Sequence, residues 1–393
     1  MNPIAQLPPP GDDALAHSAA LTALITDEIA RAGGWIDFAR YMELALYTPG
    51  LGYYSGGSRK FGAEGDFITA PELSPLFGQS LARQVMQITQ ASAAHVIEVG
   101  AGTGALAADM LLELERLGAL PDHYDIIELS GELRVRQTDT VRERAPHLAD
   151  RVRWLDALPD AFAGCVVANE VLDVMPVHLV VWRGDDILER GVVLHDGQLA
   201  HADRPAQGSV LNSAQALDVP RSATADYISE ICPAARAWMA EWGRRLTAGA
   251  VIAIDYGYPR EEYYLPSRSQ GTVQCYYRHR AHTDLLRWPG LNDITAFVDF
   301  TAAAEAAFDA GLDVLGYTSQ GAFLANCGLL QLLAERGTSP EAMGQPDYVR
   351  AARAAHRLTG PHEMGELFKV LAVGRKLAQP LLGFQQGDRT HAL

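Results

Sequence analysis

His95-Val96-Ile97-Glu98-Val99-Gly100-Ala101-Gly102-Thr103-Gly104 is the stretch whose reading decides the fold. It reads as a short buried strand running into a glycine-rich turn, and Ala105 to Leu114 behind it reads as an apolar helix. Glycines let the backbone approach a ligand and adopt positive φ, and a helix start offers N–H groups that lack an intrahelical partner. Strand, turn and helix N-terminus together predict a nucleotide-type ligand site. The spacing is G-x-G-x-G rather than the G-x-G-x-x-G of a pyrophosphate site. Glu98 stands just before the first glycine, where a carboxylate would repel a diphosphate and suit a ligand with a cationic end. Taken alone, the turn is equally compatible with an ordinary strand-to-helix connection.

The segments downstream strengthen the ligand reading. Tyr124 to Ser130 reads as a second strand that ends on Glu128, with Leu129 beside it in the same expected site. A carboxylate there can accept hydrogen bonds from both hydroxyls of a ribose. Arg151 to Leu155 reads as a third strand, and Asp156 after it is expected near an adenine. Cys165 to Ala168 is a fourth, leading into Asn169-Glu170-Val171-Leu172-Asp173. Buried parallel strands are near-continuous apolar runs, and open α/β sheets bind ligands just past the carboxyl ends of such strands. Glu170 and Asp173 are three apart, so a helical turn would put both on one face. Gly249 to Ile254, followed by Asp255, reads as a fifth strand, and Gly311 to Tyr317 and Phe368 to Val373 as the last two. The expected fold is α/β: a Rossmann-like, seven-stranded, mostly parallel sheet with helices on both faces.

Around this sheet the chain divides into residues 1–90, 91–378 and 379–393. The first segment starts with a proline-rich, acidic lead-in expected to be disordered, then two helices over 14–32 and 35–46. Its end, Phe61 to Glu72, is a polar, glycine-punctuated loop that nevertheless carries two phenylalanines and an isoleucine. Such a loop is expected to fold over a ligand, through Gly65, Asp66, Thr69 and Pro71. Within 91–378, residues 177–220 alternate around Gly184-Asp185 and Asp196-Gly197, which are hairpin signals, and form an insertion that can serve as a dimer or partner surface. Ala225 to Leu246 reads as one long helix. Residues 258–305 are rich in tyrosine, histidine and acids and read as a substrate-side insertion. His282 there is a candidate base, although a lone histidine is more often a structural hydrogen-bonder. Residues 379–393 read as a flexible tail.

Bulk composition narrows the partners. The 393 residues are 48% hydrophobic and 20% charged, as in an ordinary globular protein. A net charge of −16 disfavours nucleic acid and anionic membranes. No apolar run approaches the roughly 18 residues of a membrane span. The four cysteines lie far apart, without a C-x-x-C pair, which argues against a zinc site or a disulfide scaffold and points to reduced thiols in a cytoplasmic compartment. The N-terminus has neither the apolar core of a secretory signal nor the arginines of a transit peptide.

E-x-G-x-G-x-G, as it stands from Glu98 to Gly104, resembles the first motif of the class I S-adenosylmethionine-dependent methyltransferases. Phe61 to Glu72, Val96 to Gly104, Ala168 to Asp173, Asp293 to Phe300 and Met364 to Leu371 together resemble the MidA family. The resemblance spans residues 20 to 375. It implies S-adenosylmethionine as cofactor and methylation of arginine on a protein substrate. It also implies a link to respiratory complex I assembly, since the mitochondrial members of the family are arginine methyltransferases that assist it. Lacking a transit peptide, this chain looks like a bacterial, cytoplasmic member. Two alternatives stay open: a methyltransferase acting on a small molecule or another side chain, and a non-catalytic, cofactor-binding assembly factor.

The chemistry of arginine methylation selects residues independently. Methyl transfer from a sulfonium is an in-line displacement, so the enzyme mainly positions the nucleophile and excludes water. A guanidinium has no free lone pair and a pKa above ~12. Carboxylates must grip one edge of its fork and aim one nitrogen at the methyl group. Glu170 and Asp173 are the first candidates, with Asp66 and Asp255 behind them. The cofactor itself is expected to lie among Glu98, Gly100, Gly102, Gly104, Glu128, Leu129, Asp156, Asn169 and Glu170, under the loop carrying Gly65, Asp66, Thr69 and Pro71.

Overall fold

The computed structural model describes residues 7–55, 69–222 and 224–393. The chain forms two compact units. One comprises residues 68–172, 237–259 and 298–393, and the other residues 1–67, 173–236 and 260–297.

In the first of these, strands run in the spatial order Asp313–Ser319, Phe368–Arg375, Leu246–Tyr258, Phe162–Asn169, His95–Val99, His123–Ile127, Val152–Leu155. The five from Leu246–Tyr258 to Val152–Leu155 pair in parallel. Phe368–Arg375 is antiparallel to both of its neighbours. An eighth strand, Val298–Asp299, was not expected; it pairs with Gly257 and Tyr258. It has room because Leu246–Tyr258 is 13 residues long, and its pairing with Phe162–Asn169 ends at Ile254. The sheet is therefore mixed and eight-stranded. Val96, Ile97, Val166 and Val167 are wholly buried, as their unbroken apolar runs require.

Register decides what the sheet presents. Leu155, Ile127, Val99, Ala168 and Ala253 lie side by side in one row across five strands. The next residue of each chain, Asp156, Glu128, Gly100, Asn169 and Ile254, therefore falls at the same carboxyl edge, with Glu170 and Asp255 one step further on.

Residues 379–393 are a correction to the expected flexible tail. Leu381 and Phe384 are buried, with the Phe384 ring 5.5 Å from that of Phe323. The Leu382 and Gly383 N–H groups donate to Gln87 and Gln84, each at 2.8 Å. Two apolar anchors and satisfied backbone donors outweigh the chain entropy that the polar composition there favours.

The other unit is built on helices Asp12–Arg31 and Phe38–Tyr47 and two antiparallel sheets. Leu21, Ile25 and Ile29 face its core with Phe38, Tyr41 and Met42. Asp37 caps the second helix through the Arg40 N–H at 2.8 Å. Strands His178–Arg183, Asp186–His195 and Gln198–Pro205 are consecutive hairpins. Asp196 and Gly197 both have positive φ, as a two-residue turn between right-twisted strands needs. The long helix expected over 225–246 is instead the strand Tyr227–Ile231 followed by the helix Pro233–Arg245. Pro233 disfavours a helical residue before it and serves well as a helix start. Glu230, buried in that strand, accepts from the Thr272 and Val273 N–H groups at 2.6 and 2.8 Å and from the Tyr263 hydroxyl at 3.1 Å. It thereby ties residues 260–297 to the hairpins.

Phe384→Ala is expected to cost about 3 kcal/mol, the usual loss for a buried phenylalanine, seen as a lower urea midpoint. A shift of less than about 1 kcal/mol would mean that the tail is not docked in solution.

Candidate active site

The glycine turn stands on the row at Gly100. Gly100, Gly102 and Gly104 have φ of 66°, 52° and 85°. At Gly104 a Cβ would lie 2.9 Å from the Gln137 Cα, so the turn is pressed onto the helix Gly131–Arg144. At Gly102 a Cβ would meet nothing within 4 Å, so that position faces open space. The helix Ala105–Arg116 begins at Gly104, and the Ala105 N–H donates to Thr103 Oγ1 at 3.4 Å.

Three carboxylates flank the turn. Glu98 is 3% exposed and accepts the Tyr124 hydroxyl at 2.6 Å. Burial pushes its carboxyl up to about 7, against the Tyr124 hydrogen bond and with help from the nearby Glu128 charge. Glu128 is also buried, and burial raises its pKa although Ser130 N–H holds Oε1 at 2.9 Å and Gln137 Nε2 holds Oε2 at 3.0 Å. Leu129 beside it is 83% exposed, an apolar side chain held open at a strand end. Asp156 is exposed and pairs with Arg134 at 2.7 Å, while Arg134 also donates to the carbonyls of Glu128 and Leu155 at 2.8 and 3.0 Å.

At the end of Phe162–Asn169 the expected helical turn does not form. Glu170 has φ 54°, outside the right-handed helical region, and its N–H extends the sheet to the Ile254 carbonyl at 2.8 Å. The N–H groups of Val171 and Leu172 donate instead to Asp255 Oδ2 at 3.2 and 2.9 Å, and that of Tyr256 to Oδ1 at 2.9 Å. Asp255 thus holds the turn that carries Glu170. A non-glycine residue at positive φ costs of order 1–3 kcal/mol and recurs at functional sites. Asn169 Nδ2 donates to Glu170 Oε1 at 3.1 Å, and Asn169 Oδ1 is buried without a protein partner. That acceptor suits a ligand donor.

Asp173 is not brought onto a helical face with Glu170. It belongs to the unit of the hairpins, where it is buried and its carbonyl accepts the Ala296 N–H at 2.9 Å. Thr69 and Pro71 open the short helix Ala70–Leu73, whose Glu72 accepts the Thr103 hydroxyl of the glycine turn. Gly65 and Asp66 lie outside the described residues. His282 donates from Nε2 to Asn292 Oδ1 at 3.1 Å, because Asn292 Nδ2 is committed to the Trp288 and Arg287 carbonyls. Its Nδ1 is therefore a bare, buried acceptor. Asp37, His178 and Glu189 gather ligand-type atoms within 4.8 Å, but the 2.6 Å His178–Glu189 contact is a hydrogen bond and Asp37 is the helix cap already described. Sequence reasoning missed Tyr124, Arg134 and Gln137, which bond Glu98, Asp156 and Gly102 respectively across distances in sequence that leave no local motif.

Open space over Gly102, positive-φ glycines at a helix start, buried acids and the orphaned Asn169 acceptor fit a nucleoside with a cationic amino-acid end. A family profile of S-adenosyl-L-methionine-dependent methyltransferases matches residues 77–318, more than half of the chain. The chain belongs to the MidA family of S-adenosylmethionine-dependent methyltransferases. A protein from Burkholderia thailandensis crystallised with S-adenosyl-homocysteine is 51% identical, with a TM-score of 0.93 over 99% of this chain and 100% of its own. The rat and human proteins named protein arginine methyltransferase NDUFAF7, mitochondrial, are each 29% identical over 87% of this chain, and over 82% and 81% of their own lengths. The cofactor of this MidA-family chain is S-adenosylmethionine. Among its described residues no helix is long and apolar enough to cross a membrane.

Gly102→Val is expected to fold, at a cost of about 1–2 kcal/mol for the left-handed backbone, yet to lose S-adenosylmethionine binding in calorimetry. Unchanged affinity would place the cofactor elsewhere. Glu98 has a folded pKa of about 7 against an ordinary 4.5, so the folded state holds the proton longer. Stability from this group is full below pH 4.5 and is lost as pH rises through 7. Relative to Glu98→Gln, the wild type is expected to lose about 3 kcal/mol of unfolding free energy across that window. A pH-independent difference would show that Glu98 ionises normally.

Proposed function

We propose that the protein transfers the methyl group of S-adenosylmethionine to the guanidinium of an arginine on a protein substrate. The observation that carries this reading is the end of the strand Phe162–Asn169, where an orphaned Asn169 acceptor stands in the same row as Gly100 and a strained Glu170 follows it one step on. Relatives at 29% identity that carry the name protein arginine methyltransferase support it. The run of parallel pairings through the sheet centre supports the class I form of the fold.

In this reading Glu98 receives the cationic amino-acid end of the cofactor. Gly100, Gly102 and Gly104 let the backbone approach it, Glu128 takes the ribose hydroxyls, and Leu129 and Asp156 border the adenine. Thr69 and Pro71 open the helix whose Glu72 holds Thr103 and border the cofactor, with Gly65 and Asp66 proposed from the sequence as further contacts to it. Glu170 grips one edge of the arginine fork, and a bidentate carboxylate fixes the guanidinium plane as well as its charge. Asp255 acts by holding the Glu170 turn. Asp173 and Asp66 are further candidate carboxylates for the same role. One guanidinium nitrogen attacks the methyl carbon in line with the C–S bond. That bond breaks, its electrons stay on sulfur as a neutral thioether, and the nitrogen passes one proton to the Glu170 carboxylate, which releases it to solvent. The guanidinium remains cationic throughout, so a standing carboxylate is useful before and after transfer. We extend the proposal to a respiratory-chain subunit as acceptor, in a bacterial cytoplasm.

Incubating the protein with methyl-labelled cofactor and lysate of the source cell is expected to place label on protein arginines. Glu170→Gln is expected to lower that rate on the order of 10²-fold. Label recovered on a small molecule would replace the substrate class, and an unchanged rate would remove Glu170 from the chemistry.

A further inference from the structure

The helix Gly131–Arg144 buries Leu133, Gln137 and Val141, spaced four apart on one face. The middle of this stripe is a glutamine with no exposed surface at all. Burying a carboxamide is costly unless its polar atoms are bonded, and a leucine there would pack as well. Gln137 is instead bonded at both ends. Its Nε2 donates to the Gly102 carbonyl at 3.1 Å and to Glu128 Oε2 at 3.0 Å, and its Oε1 accepts the Trp154 indole N–H at 2.9 Å. A carbonyl and a carboxylate can only accept, and an indole N–H can only donate, so the three partners agree on one orientation of the amide.

We propose that Gln137 is the positioning residue that sets the plane of the Glu128 carboxylate against the glycine turn, and so decides how strongly the site distinguishes a ribose diol from a deoxyribose. The inference rests on the reading of Glu128 as the ribose acid. Ser130 N–H holds one oxygen of Glu128 and Gln137 the other, so the carboxylate is fixed before any ligand arrives. A vicinal diol needs two acceptors at a set separation and tilt, which a freely turning carboxylate supplies only by losing entropy on binding. Gln137 also holds the carbonyl of Gly102, the position where the turn faces open space. One side chain therefore ties the carboxylate at the ribose to the backbone at the glycine turn, and Trp154 locks its rotation.

The test is calorimetry with S-adenosyl-homocysteine and its 2′-deoxy analogue. Gln137→Leu is expected to weaken S-adenosyl-homocysteine about tenfold or more, the worth of one charge-assisted hydrogen bond, and to leave the deoxy analogue nearly unchanged. The ratio between the two ligands should collapse. Equal losses for both ligands would make Gln137 merely structural and overturn the proposal. Trp154→Phe removes only the bond to the amide oxygen and is expected to give a smaller drop in the same ratio, which keeps the test available if Gln137→Leu fails to fold. Glu128→Ala separates the two claims. A ratio that survives Glu128→Ala sinks the ribose reading itself, whereas a ratio lost there but kept in both Gln137→Leu and Trp154→Phe sinks only the role of Gln137.

Discussion

In-register parallel pairing is the constraint on which the site depends. Successive strands from Val152–Leu155 to Leu246–Tyr258 run the same way, so every strand ends at one edge. Residues remote in sequence, Gly100, Glu128, Asn169 and Asp255, become neighbours along that edge without any special loop. A one-residue slip of the strand Phe162–Asn169 would turn its side chains to the opposite faces and carry Glu170 out of line with the glycine turn. The burial of both faces of these apolar strands makes such a slip expensive, so the precision of the site is inherited from the core.

Buried carboxylates recur as the means of fixing backbone. Asp255 collects the N–H groups of Val171, Leu172 and Tyr256, and Glu230 those of Thr272 and Val273. Each takes a carboxyl group out of water and offsets that cost with several donors, which is the condition under which a buried polar group is tolerated. The result is a turn or loop whose shape is set by one side chain. Glu128 is held in the same manner, and the burial that raises its pKa and that of Glu98 leaves two acids whose charge a cationic ligand would stabilise.

The two compact units divide labour within one chain. The sheet unit takes the segments that end at the carboxyl edge. The other gathers the N-terminal helices, the hairpins and residues 260–297 around a core of its own. Chain entropy explains why such insertions are affordable: lengthening a connection costs little once its ends are fixed by the sheet. Each insertion then buries its apolar side in a shared core, which neither could have built alone at its length.

The sequence by itself determined seven strands of the large sheet, the glycine turn, the acids at strand ends and both hairpins, because each is written in a local period or a turn residue; the strands Val298–Asp299 and Tyr227–Ile231 carry no such signal. Val96-Ile97 and Val166-Val167 could be read as buried strands without neighbours, and Asp196-Gly197 as a turn. Only the tertiary structure decided what those residues touch. The register that aligns Glu128 with Gly100, the use of Asp255 as a backbone pin and the left-handed Glu170 all arise from pairing across distant segments. Gln137 is the sharpest case. In a polar helix it looks like one more solvated glutamine, and its meaning comes from Gly102, Glu128 and Trp154, which no local pattern places beside it. The docked tail follows the same rule: Leu381 and Phe384 find their places only once Phe323, Gln84 and Gln87 have been brought together.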